Sequence, residues 1–307
     1  MPTRPRITPR VVHRFREAGP AGHTVFVVHP GALPATVHRT LAAALPEGTG
    51  LTVLDLSALP EYWEPALTGD QPSTTVDDLA ARLLELLLAE VAGGSFALAG
   101  WSFGGVVAHT MTTLPAAGRL PGRLVLLDSI APTEAYTPAE DDLDQPMLLD
   151  WFAMYLGAKR GRQLPGAPDR YAGHSPESGL AAVLEASVGA GALPADTSLP
   201  GLRKLYDTFV DGLLRNNRLT AAHRPRPAAL PLVLLKAERS LIHGDPDLGW
   251  PELAARGLTV LPCPGDHYTM LSRSDSAAVI AHALLADAPD GVPAPRTTGE
   301  ELSAARP

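Results

Sequence analysis

The sequence has little cysteine, few aromatic residues and no long apolar run. Cys263 is the only cysteine among 307 residues, which excludes an internal disulfide and a thiolate metal cluster, so no bound metal is expected. Aromatic residues make up 5% of the chain, and alanine, leucine and proline carry most of the apolar content. Because no stretch of about 18 consecutive apolar residues occurs, we expect no membrane-spanning helix.

The chain also lacks a dense block of basic residues. Its formal net charge is −8, which disfavours binding to nucleic acid or to an anionic membrane. The first twenty residues contain arginines but no apolar stretch after them, so they do not form a signal peptide and we expect a cytoplasmic protein. Hydrophobic residues make up 45% and charged residues 19% of the chain, as in globular proteins with a sizeable core.

Short apolar runs predict the strands of an α/β fold. Each run is almost continuously apolar, which is typical of strands buried on both faces of a parallel sheet. Between two of them, residues 75–91 have the three- and four-residue apolar spacing of a helix. Strands alternating with helices predict a doubly wound, mostly parallel sheet. The predicted strands are 24–28, 51–56, 95–100, 123–128, 231–237 and 258–263.

The strand pattern stops between about 133 and 225, where only helical stretches occur. A helical insertion between two core strands indicates a cap or lid over one edge of the sheet. We therefore expect five segments. They are a flexible N-terminal segment (1–20), the first part of the core (21–132), a helical lid (133–225), the second part of the core (226–290) and a flexible tail (291–307).

A serine lies between two glycines where one predicted strand ends. The stretch Gly-Trp-Ser-Phe-Gly, residues 100–104, fits the pattern of a nucleophile on a tight strand-to-helix turn. The glycines remove the Cβ atoms that would clash in such a turn, and the turn strains the backbone of the serine. The following helix offers free N–H groups to an oxyanion. We therefore predict Ser102 as a nucleophile.

A serine nucleophile requires a base, and His267 is the best candidate. It follows the last predicted strand within a loop of proline and glycine, where an imidazole can reach the end of the sheet. The chain order serine, acid, histidine is that of nucleophile-elbow hydrolases. His109 lies in the helix after the nucleophile and is expected to pack there.

The position of the acid is less constrained by the sequence. Asp128 ends the strand directly after the one that carries the serine. Glu238, Asp245 and Asp247 follow the next strand, which is the more usual position for the acid in hydrolases of this kind. Spacing alone leaves Asp128 only modestly ahead of these alternatives.

Five stretches together resemble the thioesterase domains of nonribosomal peptide and polyketide synthases. The resemblance covers about residues 21–285 and implies the α/β-hydrolase fold with a lid insertion. It assigns the acid to Asp128 in Leu-Leu-Asp-Ser, and the oxyanion donors to the N–H groups of Gly31 and Phe103. The stretches are "VFVVHPGAL" (25–33), "STTVDDLAARLLELL" (73–87), "FALAGWSFGGVVAH" (96–109), "RLVLLDSIAP" (123–132) and "GDHYTML" (265–271).

The resemblance also implies a reaction. A carrier protein would present an acyl or peptidyl chain as a phosphopantetheine thioester, and Ser102 would take the chain before water, an amine or a hydroxyl releases it. No cofactor of the enzyme's own is expected. Four aromatic side chains are predicted either to line the substrate pocket or to pack in the core. They are Trp63, Trp151, Tyr155 and Phe209. The lid also contains basic residues, which we expect to face either an acidic carrier protein or water. They are Arg203, Lys204, Arg215, Arg218, Arg224 and Arg226.

Three other functions fit parts of the pattern. An ordinary esterase would use the same triad on soluble esters, and an acyl-shuttling transferase would move the chain between carriers, although such shuttles often carry cysteine at the nucleophile. A non-catalytic carrier-binding module is disfavoured because all three triad residues are present. The simplest expectation is a free-standing, monomeric enzyme, with an excised terminal domain as the alternative.

Overall fold

The structure is a computed structural model that describes most of the chain. The predicted tail, residues 291–307, lies outside the described residues. The described ranges are 10–19, 22–63, 74–91, 95–115, 121–137, 143–164 and 168–286.

A seven-stranded sheet in the order β1-β3-β2-β4-β5-β6-β7 forms the centre of the molecule. Every neighbouring pair is parallel except β1 and β3, which are antiparallel. The predicted mostly parallel sheet is therefore confirmed. The strands are β1 (Val12–Arg16), β2 (Thr24–His29), β3 (Gly50–Asp55), β4 (Phe96–Trp101), β5 (Leu124–Leu127), β6 (Leu232–Arg239) and β7 (Leu258–Asp266).

Helices connect the strands. The helix predicted from periodicity forms and begins with a capping box, in which the Thr75 hydroxyl accepts from the Asp78 N–H and the Asp78 carboxylate accepts from the Thr75 N–H. Residues 60–63 are also helical. The helices with defined bounds are α1 (Arg39–Ala44), α2 (Val76–Glu90), α3 (Phe103–Thr113), α4 (Gln145–Arg160), α5 (Pro176–Gly189), α6 (Leu199–Ala222) and α7 (Ser274–Leu285).

Both faces of the sheet are buried, which explains why the strands are apolar throughout. Val25 and Val27 of β2 belong to a cluster on one face that also contains residues of α1 and α7. Phe26 and Val28 of the same strand belong to a second cluster, with residues of α2 and α3, on the other face. Successive strand residues point to opposite faces, so each must be apolar.

The edge strand β1 differs from the prediction. Residues 12–16 lie within the segment expected to be flexible, yet they form a strand that pairs with β3. Its residues are only partly buried, and charged side chains such as Arg14 and Arg16 are usual on a sheet edge that must not pair further. Only Val12 and Phe15 of its five residues are apolar, and they are three positions apart. The segment therefore has neither the continuous apolar run nor the strict alternation that predicts a strand.

The segment between β5 and β6 contains α4, α5 and α6. Its helices are joined to the end of β6 and to the loop after it by polar contacts. The Trp151 indole N–H donates to the Leu241 carbonyl at 2.9 Å, and Arg239 pairs with the fully buried Asp150 at 2.8 Å. Parts of the predicted lid, residues 138–142 and 165–167, are outside the described ranges. Across the described helices, none is long and apolar enough to cross a membrane.

Candidate active site

The predicted site residues lie at one edge of the sheet. Gly31 follows β2, Ser102 follows β4, Asp128 follows β5 and His267 follows β7. These strands are parallel, so their carboxyl ends are on the same side. This edge is where open α/β sheets bind ligands.

Ser102 is held in a strained turn between β4 and α3. Its backbone has φ 53° and ψ −131°, a combination that a residue with a side chain rarely adopts. The turn is closed by two hydrogen bonds, from the Ser102 N–H to the Leu127 carbonyl at 3.0 Å and from the Gly105 N–H to the Ser102 carbonyl at 2.9 Å. The half-buried side chain lines the apolar pocket described below.

The flanking glycines are required by close backbone contacts. A Cβ atom on Gly100 would lie 2.3 Å from the Gly104 carbonyl oxygen, and one on Gly104 would lie 2.3 Å from the Val28 carbonyl oxygen. Both distances are far shorter than a van der Waals contact. The steric reason proposed from the sequence is therefore present in the structure.

Asp128 and His267 form a buried pair. The His267 Nδ1 lies 2.7 Å from the Asp128 Oδ2, and both residues are 1% exposed. A carboxylate can only accept, so Nδ1 carries the proton and Nε2 is left as the acceptor. The Ala237 N–H donates to the other Asp128 oxygen at 3.0 Å, and the His267 N–H donates to the Arg239 carbonyl at 3.1 Å.

The alternative acids have other partners. Glu238 accepts from the Gly265 N–H at 3.3 Å. Asp245 accepts from the N–H groups of Asp247 and Leu248, at 3.0 Å each. Asp247 in turn accepts from a glycine N–H at 3.1 Å. Within the described part of the chain, none of the three carboxylates pairs with the histidine.

Trp101 links the pair to the serine. Its indole N–H donates to the His267 carbonyl at 2.9 Å, and the two rings lie 5.2 Å apart. Trp101 directly precedes Ser102, so the imidazole lies next to the turn that carries the serine. No hydrogen bond joins Ser102 to His267 among the described residues; in enzymes without substrate such contacts are often long and tighten on binding.

The loop after β2 is held by a buried histidine. The His29 Nε2–H donates to the Leu33 carbonyl at 2.7 Å, and its ring stacks on Trp101 at 5.3 Å. Burial lowers the pKa of His29, which keeps the ring neutral. Inside the loop Gly31 has φ 93°, and a Cβ there would lie 2.9 Å from the Cβ of Ser57.

Among the described residues, neither predicted oxyanion donor gives its N–H to a backbone acceptor. No backbone hydrogen bond between described residues uses the Gly31 N–H. Phe103 is the first residue of α3, and the first N–H groups of a helix have no acceptor within it.

A pocket with about 1060 Å³ of empty space, part of it open to solvent, extends from Ser102 and Phe103. Apolar side chains from the β5–α4 loop, α4 and the loop after β6 form most of its wall, and Asn216, Asn217 and Thr220 of α6 supply polar groups. Trp151 is part of the wall.

The other three predicted pocket aromatics lie outside this wall. The rings of Tyr155 and Phe209 stack on each other at 5.1 Å. Trp63 is 40% exposed, and its indole N–H donates to the Ser57 carbonyl at 2.8 Å. The structure therefore brings only Trp151 of the four into contact with the pocket beside the serine.

Arg215 is buried rather than solvated. Only 4% of it is exposed, so it is not available to a carrier protein. Its guanidinium lies 3.9 Å from the centre of the Tyr62 ring and 4.4 Å from the centre of the Trp63 ring. The sequence carries one signal for this burial, because Arg215 is four residues from the buried Leu219 on the same face of α6.

Comparison with known proteins identifies relatives from biosynthetic systems. The spectinabilin polyketide synthase system protein NorC of Streptomyces orinoci is 27% identical over 281 residues, which cover 89% of this chain and 10% of NorC. The chain therefore spans about a tenth of the length of this curated relative.

Two solved structures of thioesterases match most of the chain. The NocB thioesterase domain in covalent complex with a fluorophosphonate nocardicin G analogue is 26% identical, with a TM-score of 0.53, 90% of this chain and 100% of that chain covered. The type II thioesterase BorB from the borrelidin biosynthetic cluster is 18% identical, with a TM-score of 0.55, 89% of this chain and 97% of that chain covered, and it shows the fold alone.

These matches and the parallel sheet confirm the predicted α/β-hydrolase fold and the resemblance to synthase thioesterases. The thioesterase domain family matches residues 23–285. The chain belongs to the thioesterase domain family and is a hydrolase that acts on thioester bonds.

Proposed function

We propose that this thioesterase releases an acyl or peptidyl chain from the phosphopantetheine of a carrier protein through an ester on Ser102. The observation that carries the proposal is the buried Asp128–His267 contact of 2.7 Å, beside the strained turn of a serine that opens onto an apolar pocket. Nucleophile, base and acid follow the chain order of nucleophile-elbow hydrolases.

The first half of the reaction forms the ester. The Ser102 hydroxyl attacks the thioester carbonyl while the His267 Nε2 takes its proton, and the thiol of the carrier leaves with a proton from the same imidazole. Asp128 holds the ring in the tautomer that leaves Nε2 free and stabilises its positive charge. In the second half, water, or an amine or hydroxyl of the chain itself, attacks the ester and releases a free acid or a ring.

The backbone N–H groups of Gly31 and Phe103 bind the oxyanion in both halves. Loss of one such donor costs about 2.7–4 kcal/mol of transition-state stabilisation. The buried contacts around His29 and Trp101 keep the glycine loop beside the serine turn, so that both donors are in place before substrate binds.

The pocket and the relatives support an acyl substrate held on a carrier. The pocket wall is mainly apolar, as a chain of methylene groups requires, and the helices of residues 133–225 act as a lid over it. NorC is named as part of a polyketide synthase system. We assign a carrier protein as partner, no nucleic acid or membrane, a monomeric state and a cytoplasmic location.

Active-site labelling tests the nucleophile. A fluorophosphonate should label the wild-type protein at one site and should not label Ser102→Ala, whose fold is checked by circular dichroism. Ser272→Ala, which alters an exposed serine, is the matched control and should be labelled like the wild type. Labelling of Ser102→Ala at another residue would refute the assignment.

The kind of substrate is tested with a matched pair. Octanoyl pantetheine and ethyl octanoate carry the same acyl group on sulfur and on oxygen. The proposal predicts a higher kcat/KM for the thioester, and an equal or higher value for the ester would favour a general esterase. Mass analysis of the product separates hydrolysis from transfer to an added thiol acceptor.

A further inference from the structure

A polar cluster lies behind the pocket wall and fixes the orientation of one pocket residue. The cluster consists of Tyr62, from the segment after β3, and Arg215 and Asn216 of α6. The Tyr62 hydroxyl lies 2.7 Å from the Asn216 Oδ1, and the Arg215 Nη2 donates to the Tyr62 hydroxyl at 2.8 Å.

The amide oxygen of Asn216 receives three donors. Besides the tyrosine hydroxyl, the Nε and Nη2 of Arg215 donate to it at 3.3 Å each. Burial raises the pKa of Tyr62, so its hydroxyl keeps the proton that it donates. An amide nitrogen cannot accept a hydrogen bond. The oxygen must therefore face the cluster, and the NH₂ group must face away from it.

The guanidinium strengthens this arrangement. The Arg215 guanidinium contacts the rings of both Tyr62 and Trp63, which fixes its position. Its Nη1 is buried and has no hydrogen-bond partner among the described residues. The positive charge of Arg215 polarises the Asn216 amide through its oxygen. This makes the N–H groups of the same amide stronger donors.

Asn216 also lines the pocket that contains Ser102. Between described residues its Nδ2 makes no hydrogen bond. The hydroxyl of Thr220, one turn further on, donates to the backbone carbonyl of Asn216 at 2.8 Å. The cluster is joined to the serine turn because the Tyr62 ring stacks on Phe103 at 5.9 Å.

We infer that the Asn216 NH₂ group binds a carbonyl oxygen of the acyl chain, the oxygen of a ketone or an amide, while the chain is attached to Ser102. The inference rests on the proposed function. Most of the pocket wall is apolar, so a saturated chain would cover the donor without offering it an acceptor. The enzyme therefore selects oxygenated polyketide or peptidyl chains over plain fatty acyl chains of equal length.

Matched thioesters test the selection. The probes are octanoyl pantetheine and its 3-oxo, 5-oxo and 7-oxo derivatives. For one of the three oxo derivatives, the wild type should show a kcat/KM about tenfold above that for octanoyl pantetheine. Asn216→Asp keeps the shape and the accepting oxygen but removes the donor, and it should abolish this preference. Thr220→Val, the control in the same wall, should keep it.

A binding measurement separates failure of this inference from failure of the proposed function. In the Ser102→Ala background, the oxo thioester should bind about tenfold tighter than the plain one, and adding Asn216→Asp should remove the difference. Absence of turnover with this binding difference would refute the proposed reaction alone. If Asn216→Asp does not fold, Asn216→Leu replaces it.

Three results would overturn the inference. These are a wild type without preference for any oxo chain, an Asn216 variant that retains the preference, and a Thr220→Val variant that loses it to the same extent.

Discussion

A buried histidine makes the stability of this protein depend on pH. His109 lies in α3, has no exposed surface, and neither ring nitrogen has a partner within the described part of the chain. Its ring packs against Trp250 at 5.3 Å. Burial, and in second place the charge of His223, lowers the pKa of His109 from 6.5 to about 4.

Protonation of His109 favours the unfolded chain over the folded protein. Below pH 6.5 the unfolded chain takes up a proton at His109, whereas the folded protein does not until about pH 4. The free energy of unfolding therefore falls as the pH decreases through this window. The contribution of this residue to the loss is about 2 kcal/mol at pH 5 and about 3 kcal/mol below pH 4.

Urea unfolding at pH 7 and pH 5 measures this contribution. Between the two pH values, His109→Gln should lose about 2 kcal/mol less stability than the wild type. The constant effect of the substitution on packing cancels because each protein is compared with itself. His282→Gln, which alters an exposed histidine of α7, should lose as much as the wild type. An equal loss in His109→Gln and wild type would refute the reasoning.

Three further predictions follow from contacts described above. Asp128→Asn should lower kcat by about a thousandfold or more in a pantetheine thioester assay, whereas Asp245→Asn should lower it by less than about tenfold; the reverse order would move the acid to the later loop. Gly104→Ala should lower the free energy of unfolding by about 3 kcal/mol in urea because its Cβ would overlap a backbone carbonyl, whereas Gly189→Ala, which has open space, should raise it by about 0.5 kcal/mol. Burial raises the pKa of Cys263 to about 11, so an aromatic disulfide reagent at pH 8 should modify it only after denaturation, and rapid reaction of the native protein would contradict its burial.

The sequence predicts the central strands well because each is buried on both faces. The mainly apolar runs at 24–28 and 231–237 are shorter than most helices, which favours strands, and both form strands. The edge strand β1 is missed because only one neighbour pairs with it and its residues stay partly exposed. An exposed strand requires few apolar residues, so its pattern resembles that of a loop.

One part of the candidate site can likewise be predicted from the sequence, and another part cannot. Local geometry predicts the serine turn, since Gly100 and Gly104 are required by contacts within a few residues or with the adjacent strand. The acid is identified by its contact with His267, which is 139 positions away from Asp128 in the sequence. Residue patterns reveal local structure but do not show which distant residues come together. The same limit hides the polar cluster, where Tyr62 meets a helix 154 positions later.

The helical insertion shares one apolar cluster with a face of the sheet. Phe152 and Tyr206 of the insertion belong to the same buried group as Val25 and Leu127 of the strands. Across its described residues, the insertion therefore packs into the core of the sheet and not into a core of its own. It should melt together with the sheet in a single cooperative transition, and cutting it out as an independent fragment would yield an unfolded peptide.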